Sequence, residues 1–302
     1  MKRILSIVQK VFFIMATMGM LFSFVACGSK TVQPSEPVNN KTRVVIMAGQ
    51  SNMEGWSHVK YAKDNLSEEE YGVYDVGAPS VRIAFYKSSV AANGNPFQNV
   101  KFGLGVDSSR FGPEVGMSRY LKENARGTKF YLIKYAVGGT NLYRDWSSPS
   151  TGTTGSQYKA MVEYVMSVLT YLTKQNVDFS VTDFCFMQGE ADADTSMHAL
   201  DYADRLRMFI SDLRSELSEY APSEGIRFID GGISDSSYWP FYVTLNESKK
   251  EVAEEDPMNI YIDTIAAKLE YDKEPKPTAD LAHYDALSMI ELGKLFAKAM
   301  LS

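Results

Sequence analysis

Apolar residues along this chain gather in short runs rich in β-branched and aromatic side chains. Longer stretches lie between them, in which apolar residues recur every three or four positions. The runs are Arg43 to Ala48, Val81 to Tyr86, Lys129 to Ala136, Val181 to Met187, Ile226 to Ile229 and Asn259 to Ile262. Several are near-continuous, as expected of parallel strands covered on both faces. The stretches between them read as helices. Pro113 to Asn124 opens with Pro and carries Glu114 in its first turn, a favourable helix start. Tyr158 to Lys174 places Met161, Val162, Val165, Val168, Leu169 and Leu172 at helical spacing. Tyr202 to Leu217 repeats the pattern with Leu206, Phe209, Ile210 and Leu213, and Leu287 to Leu301 closes the chain. Alternating strand and helix predicts βαβ units with right-handed crossovers. The fold class is therefore α/β, a three-layer α/β/α sandwich with a mostly parallel central sheet. The segments Lys60 to Ser80 and Ser88 to Arg110 read as long loops of the kind that shape a binding face.

One further apolar run, Val11 to Val25, has a different meaning. Lys2 and Arg3 precede it, and Phe24-Val25-Ala26-Cys27 ends it, with Gly28 and Ser29 beyond. This is the pattern of a signal peptide over residues 1–26. A Cys directly after a small residue is similar to a bacterial lipobox, in which Cys27 is lipidated and becomes the new N-terminus. A plain membrane anchor, or a leader in which Cys27 is incidental, are the alternatives, and the run is short for a membrane span. Residues 27–41 then form a lipidated N-terminus and tether, polar and Pro-containing. Residues 42–302 remain for one α/β domain, with no internal repeat. The expected location is the bacterial cell envelope, with the membrane met only through the lipid.

Loss of Lys2, Arg3 and Lys10 with the leader takes the formal charge from −6 to −9, and no basic run remains. Nucleic acid is thereby excluded as an expected partner. With Cys27 assigned to lipid, Cys185 stands alone inside Phe184-Cys185-Phe186-Met187 and reads as a buried core thiol. No Cys/His cluster has zinc spacing, and the sequence implies no metal or organic cofactor.

Four polar, Gly-rich segments fall at the ends of expected strands or before the last helix. In open α/β sheets ligands collect outside the carboxyl ends of the strands. Gly49-Gln50-Ser51-Asn52-Met53 follows the first strand and presents a Ser on a strand-to-helix turn, although a Ser there also serves as a helix cap. Met53 stands where a G-x-S-x-G elbow needs its second Gly. Ala136-Val137-Gly138-Gly139-Thr140 pairs two glycines that let backbone N–H groups approach a ligand, or simply make a tight turn. Gln188-Gly189-Glu190-Ala191-Asp192 supplies a side-chain amide, a neutral donor suited to an oxyanion. Asp280-Leu281-Ala282-His283 places an Asp where it can orient an imidazole. Of three histidines, His58 reads as a loop residue and His198 as lying near a helix start, and neither has a carboxylate at that spacing.

Together, and in this order, these segments resemble the SGNH (GDSL-like) hydrolase superfamily, and within it the sialate O-acetylesterase-like and family 6 carbohydrate esterases. G-Q-S-N-M, F-G-P-E from Phe111 to Glu114, V-G-G-T followed by Trp146, Q-G-E-x-D and D-x-x-H carry the resemblance. It implies an SGNH or flavodoxin-like sandwich and a serine esterase. Ser51 would be the nucleophile, His283 the base and Asp280 its orienting acid. The oxyanion hole would be the backbone N–H groups of Ser51 and Gly139 with the side-chain amide of Gln188. Gln50, Asn52, Gly138, Glu190 and Trp146 are expected in supporting or substrate-binding positions. Glu190 and Asp192 read as braces, and Trp146 as either a sugar-stacking platform or packing. Ala191 stands where the family often has Ser. The implied substrate is an acetylated carbohydrate, of acetylxylan or sialic acid type, cleaved through an acyl-enzyme. The competing expectation is a non-catalytic glycan-binding lipoprotein that keeps the fold.

Overall fold

The computed structural model describes residues 41–302; the expected leader, the lipidation site Cys27 and most of the tether lie outside the described residues. The first half comprises β1 (Thr42–Gly49), the one-turn helix α1 (Ser51–Glu54), β2 (Ser57–His58), α2 (Val59–Asn65), α3 (Glu68–Val76), β3 (Val81–Phe85), β4 (Gln98–Asn99), β5 (Arg110–Phe111), α4 (Glu114–Asn124) and β6 (Phe130–Ala136). Then come α5 (Ser156–Lys174), β7 (Phe179–Met187), α6 (Ser196–Glu216), β8 (Arg227–Gly231), α7 (Tyr242–Glu254), β9 (Asn259–Ile262) and α8 (Ala286–Met300).

Seven strands form one sheet in the order β4-β3-β6-β1-β7-β8-β9. Every neighbouring pair is parallel except β3 and β4. Without the β3–β4 excursion at one edge, the parallel core runs second, first, third, fourth, fifth in chain order. That is the flavodoxin-like order, whose direction of winding reverses between β1 and its neighbour β7. The expected α/β sandwich is thus the observed one.

Val44 to Ala48 of β1 are fully enclosed because helices cover both faces of the sheet. Helix α4 packs against α8, while α6 packs against α7 and meets α5 through Tyr158 and Phe209. The α4–α8 contact is backbone to backbone. A Cβ on Gly116 would stand 1.9 Å from the Ile290 carbonyl oxygen, and one on Gly293 2.0 Å from that of Pro113. Close seating of α8 also fixes the loop that precedes it, which carries Asp280 and His283.

The structure corrects the reading of residues 60–80 as a loop, since α2 and α3 occupy much of it. Helix α3 buries none of its residues, so hydrophobic spacing carries no signal there. It is set instead by a Ser67–Glu70 capping box and three acidic residues in its first turn. Helix α7 also went unread, and His58 lies in the short strand β2 rather than in a loop. Among the described residues no helix is long and apolar enough to cross a membrane.

Candidate active site

The tips of β1 and β7 meet where the winding reverses. Gly49 has φ +143°, and a Cβ there would lie 1.9 Å from the Met187 carbonyl oxygen, so only glycine closes this junction. The Gln50 N–H donates to that same carbonyl at 2.9 Å. Ser51 follows as the first residue of α1, with 7 % of its surface exposed. Being at a helix start, its backbone N–H has no intrahelical acceptor. Among the described residues it donates to no protein group, and neither does the N–H of Gly139.

Gly139 turns with φ +72° into open space, since no atom lies within 4 Å of where its Cβ would be. Its neighbour Gly138 is crowded. A Cβ there would lie 3.5 Å from Ser51 Cβ and 3.1 Å from Glu54 Oε2. The expected oxyanion loop therefore does sit against the serine.

His283 Nδ1 and Asp280 Oδ2 are 2.6 Å apart. Burial pushes the Asp280 carboxyl upward. The His283 hydrogen bond and charge, the Ala282 N–H and Arg110 outweigh it and hold the group below its ordinary value. The imidazole stacks on Trp56, with centroids 4.7 Å apart and planes inclined by 13°. No protein group of the described residues hydrogen-bonds His283 Nε2, which leaves that nitrogen for chemistry. Two bonds pin the neighbouring residue. The Tyr284 N–H donates to Asn52 Oδ1 at 3.1 Å, and its carbonyl accepts from Ser57 Oγ at 2.6 Å. The residue after the serine thus holds the residue after the histidine. Asn52 is in turn fixed by Glu190, to whose Oε1 its Nδ2 donates at 2.6 Å.

Glu190 is fully buried, and burial raises its pKa against the pull of Asn52. Asp192 accepts from the Leu142 and Tyr143 N–H groups at 2.7 and 3.1 Å, tying down the chain after Gly139. Both acids brace loops, as the sequence suggests. The F-G-P-E acid has the same kind of task. Glu114 accepts from the Gly112 N–H and pairs with Lys134 at 2.7 Å, with neither side chain exposed.

The geometry bears on two further expectations. The Gln188 amide is fully buried and its Nε2 is occupied, donating to Asp192 Oδ2 at 2.6 Å and the Thr140 carbonyl at 3.1 Å. Its Oε1 accepts from Tyr202 at 2.9 Å. With both hydrogens committed, Gln188 is a brace for the oxyanion loop and not a free oxyanion donor. Trp146 is likewise fully buried, its indole N–H donating to Thr140 Oγ1 at 2.8 Å. It packs beneath the loop and offers no face to a sugar.

Gln50 reaches the Q-G-E-x-D loop. Its Oε1 faces the Gly189 and Ala191 N–H groups at 3.4 and 3.3 Å. Sequence reasoning missed Glu54, Trp56 and Lys87. Glu54 and Trp56 lie just past the G-Q-S-N-M run and were within reach of inspection. Lys87 carries no local signal. The other histidines make no hydrogen bond to Asp280 or His283, although both of those groups act on the charge of His58. His58 donates its backbone N–H to Glu274, and burial, reinforced by Arg110, lowers its pKa. His198 stacks on Tyr143 at 4.2 Å.

Residues 41–302 match the family model described as carbohydrate esterase, sialic acid-specific acetylesterase. No curated protein matches. Among solved structures, a protein of Arabidopsis thaliana aligns with a TM-score of 0.63 at 17% identity, covering 86% of this chain and 98% of the other. NanS aligns with a TM-score of 0.59 at 14% identity, covering 87% and 97%. A carbohydrate acetylesterase from Xanthomonas citri gives 0.57 at 15% identity, covering 85% of this chain and 55% of its own. At these identities the structures establish a shared fold.

Proposed function

From the premise that this chain belongs to the carbohydrate esterase family of sialic acid-specific acetylesterases, we propose that it removes O-acetyl groups from carbohydrate through an acyl-enzyme on Ser51. The observation that carries the proposal is the Asp280–His283 pair at 2.6 Å with a free Nε2, held by the Asn52–Tyr284 bond beside Ser51, where the N–H of Ser51 and the N–H of Gly139 are both unspent.

In this mechanism His283 Nε2 takes the Ser51 hydroxyl proton as the oxygen attacks the acetyl carbonyl carbon. The Ser51 and Gly139 N–H groups receive the oxyanion. Asp280 fixes the tautomer with Nδ1–H and stabilises the imidazolium. Collapse breaks the bond to the sugar oxygen, which takes the proton from His283. Water then adds to the acyl-enzyme by the same route and releases acetate and the Ser51 hydroxyl. Both acetylxylan-type and sialate-type esters suit this chemistry.

Acetate release from acetylated xylan, pectin, mannan and sialic acid, beside Ser51→Ala, tests the proposal. Release from one substrate that the variant abolishes is the expected result, and it names the substrate class. No release above that of the variant on any substrate, together with no fluorophosphonate adduct on folded protein, would instead indicate a glycan-binding member of the family.

A further inference from the structure

Glu54 ends the turn that Ser51 begins, and only 2 % of its surface is exposed. A carboxylate so enclosed persists only where charge and hydrogen bonds offset its desolvation. Three partners do so here, and each belongs to a different part of the site. Oε2 accepts from the Gly138 N–H at 3.0 Å and from the Trp56 indole N–H at 3.1 Å. Oε1 pairs with Lys87, just beyond β3.

Those two N–H groups have consequences out of proportion to their number. Gly138 precedes Gly139, whose N–H has no acceptor among the described residues, so anchoring it sets the direction of the next peptide. Trp56 is the ring on which the imidazole of His283 stacks, and a bond from its indole N–H fixes its rotamer. One carboxylate thus holds the acceptor side and the base side of the site at once. Neither connection duplicates the Asn52–Tyr284 bond, which acts on the other flank of His283.

We propose that Glu54 is a positioning residue that sets the oxyanion loop and the general base in register about Ser51, with Lys87 as its counter-ion. This rests on the reading of Ser51, His283 and Gly139 given above. Because Glu54 acts through groups used in the transition state, its loss should lower kcat more than it raises KM. Displacements on the order of 1 Å at such groups cost about 10²-fold.

Glu54→Gln keeps one carbonyl acceptor but loses the charge, and Glu54→Ala loses both bonds. Expected are a fall in kcat of roughly 10-fold for Gln and about 10²-fold for Ala, with KM within about threefold of wild type. A second measurement does not depend on turnover. In amide NMR spectra of Glu54→Gln the Trp56 indole and Gly138 resonances should move upfield, while the Trp239 indole stays as an internal control. A folded Glu54→Ala protein with wild-type kcat, or unmoved Trp56 and Gly138 resonances in Glu54→Gln, would overturn the proposal. Wild-type protein inactive on every acetylated sugar would instead sink the esterase reading, and the two resonances alone would then decide whether Glu54 anchors both groups.

Discussion

Asp280 and Glu274 lie on one loop and respond to pH in opposite directions. Asp280 is held below its ordinary value, so its contribution to stability is present at neutral pH and is lost as pH falls. Glu274 is pushed up to about 7, chiefly by burial and further by Asp285, against the His58 N–H. Between pH about 4.5 and 7 the unfolded chain has released this proton while the folded one still binds it, so stability falls as pH rises. Urea unfolding across that window should show a weaker pH dependence for Glu274→Gln than for wild type. Parallel curves would mean that Glu274 is not the source. Gln188 gives a second prediction at this scale. Gln188→Ala takes a buried donor from Asp192 and from the Thr140 carbonyl, a cost of about 1–3 kcal/mol for each group left unsatisfied, while the Tyr202 hydroxyl keeps the residue-188 carbonyl. Its melting temperature should therefore drop along with its activity, whereas a pure oxyanion donor would lose rate alone. Ser51 was singled out only by the motifs taken together, while the Asp280–His283 contact was legible from its D-x-x-H spacing. The role of Gln188 was not, because a carboxamide at a strand end looks the same whether its hydrogens are free or spent.

Elements differ in how loudly their burial writes itself into the sequence. Strands β1, β6 and β7 are covered on both faces and show as near-continuous apolar runs, which is why the sheet centre was legible. Helix α7 is the opposite case. Its buried positions include Asn246, Ser248 and Lys249, so its inward face looks polar. Lys249 is fully buried against Asp230 of β8 at 2.6 Å, and the Asp230 pKa still rises to about 6 because burial dominates. Removing one partner of such a pair costs about 3–5 kcal/mol. Lys249→Ala should therefore unfold at markedly lower urea, and Lys249→Met with Asp230→Asn should recover much of the loss. If the single variant unfolds at the wild-type midpoint, the pair does not hold α7 to the sheet.

At the scale of the molecule, all parallel strands point their carboxyl ends the same way, and Ser51, Gly139 and the Q-G-E-x-D loop stand at those ends. A cavity of about 560 Å³ lies at the opposite pole, among Lys41, Thr42, Arg43 and Ser180 at the strand starts. Position in the sheet, rather than cavity size, picks out the reacting face in this fold class. The bond between Asn52 and Tyr284 joins residues 232 apart in the sequence. The proposed nucleophile thus follows the first strand of the sheet, and its proposed base lies in the segment before the final helix. Contacts of such long range are the slowest to form. A ribosome releases the serine long before the histidine, and a half-made chain holds the nucleophile without the means to use it. On the proposed mechanism turnover doubles as a completion signal, appearing only when the two ends of the domain have found each other.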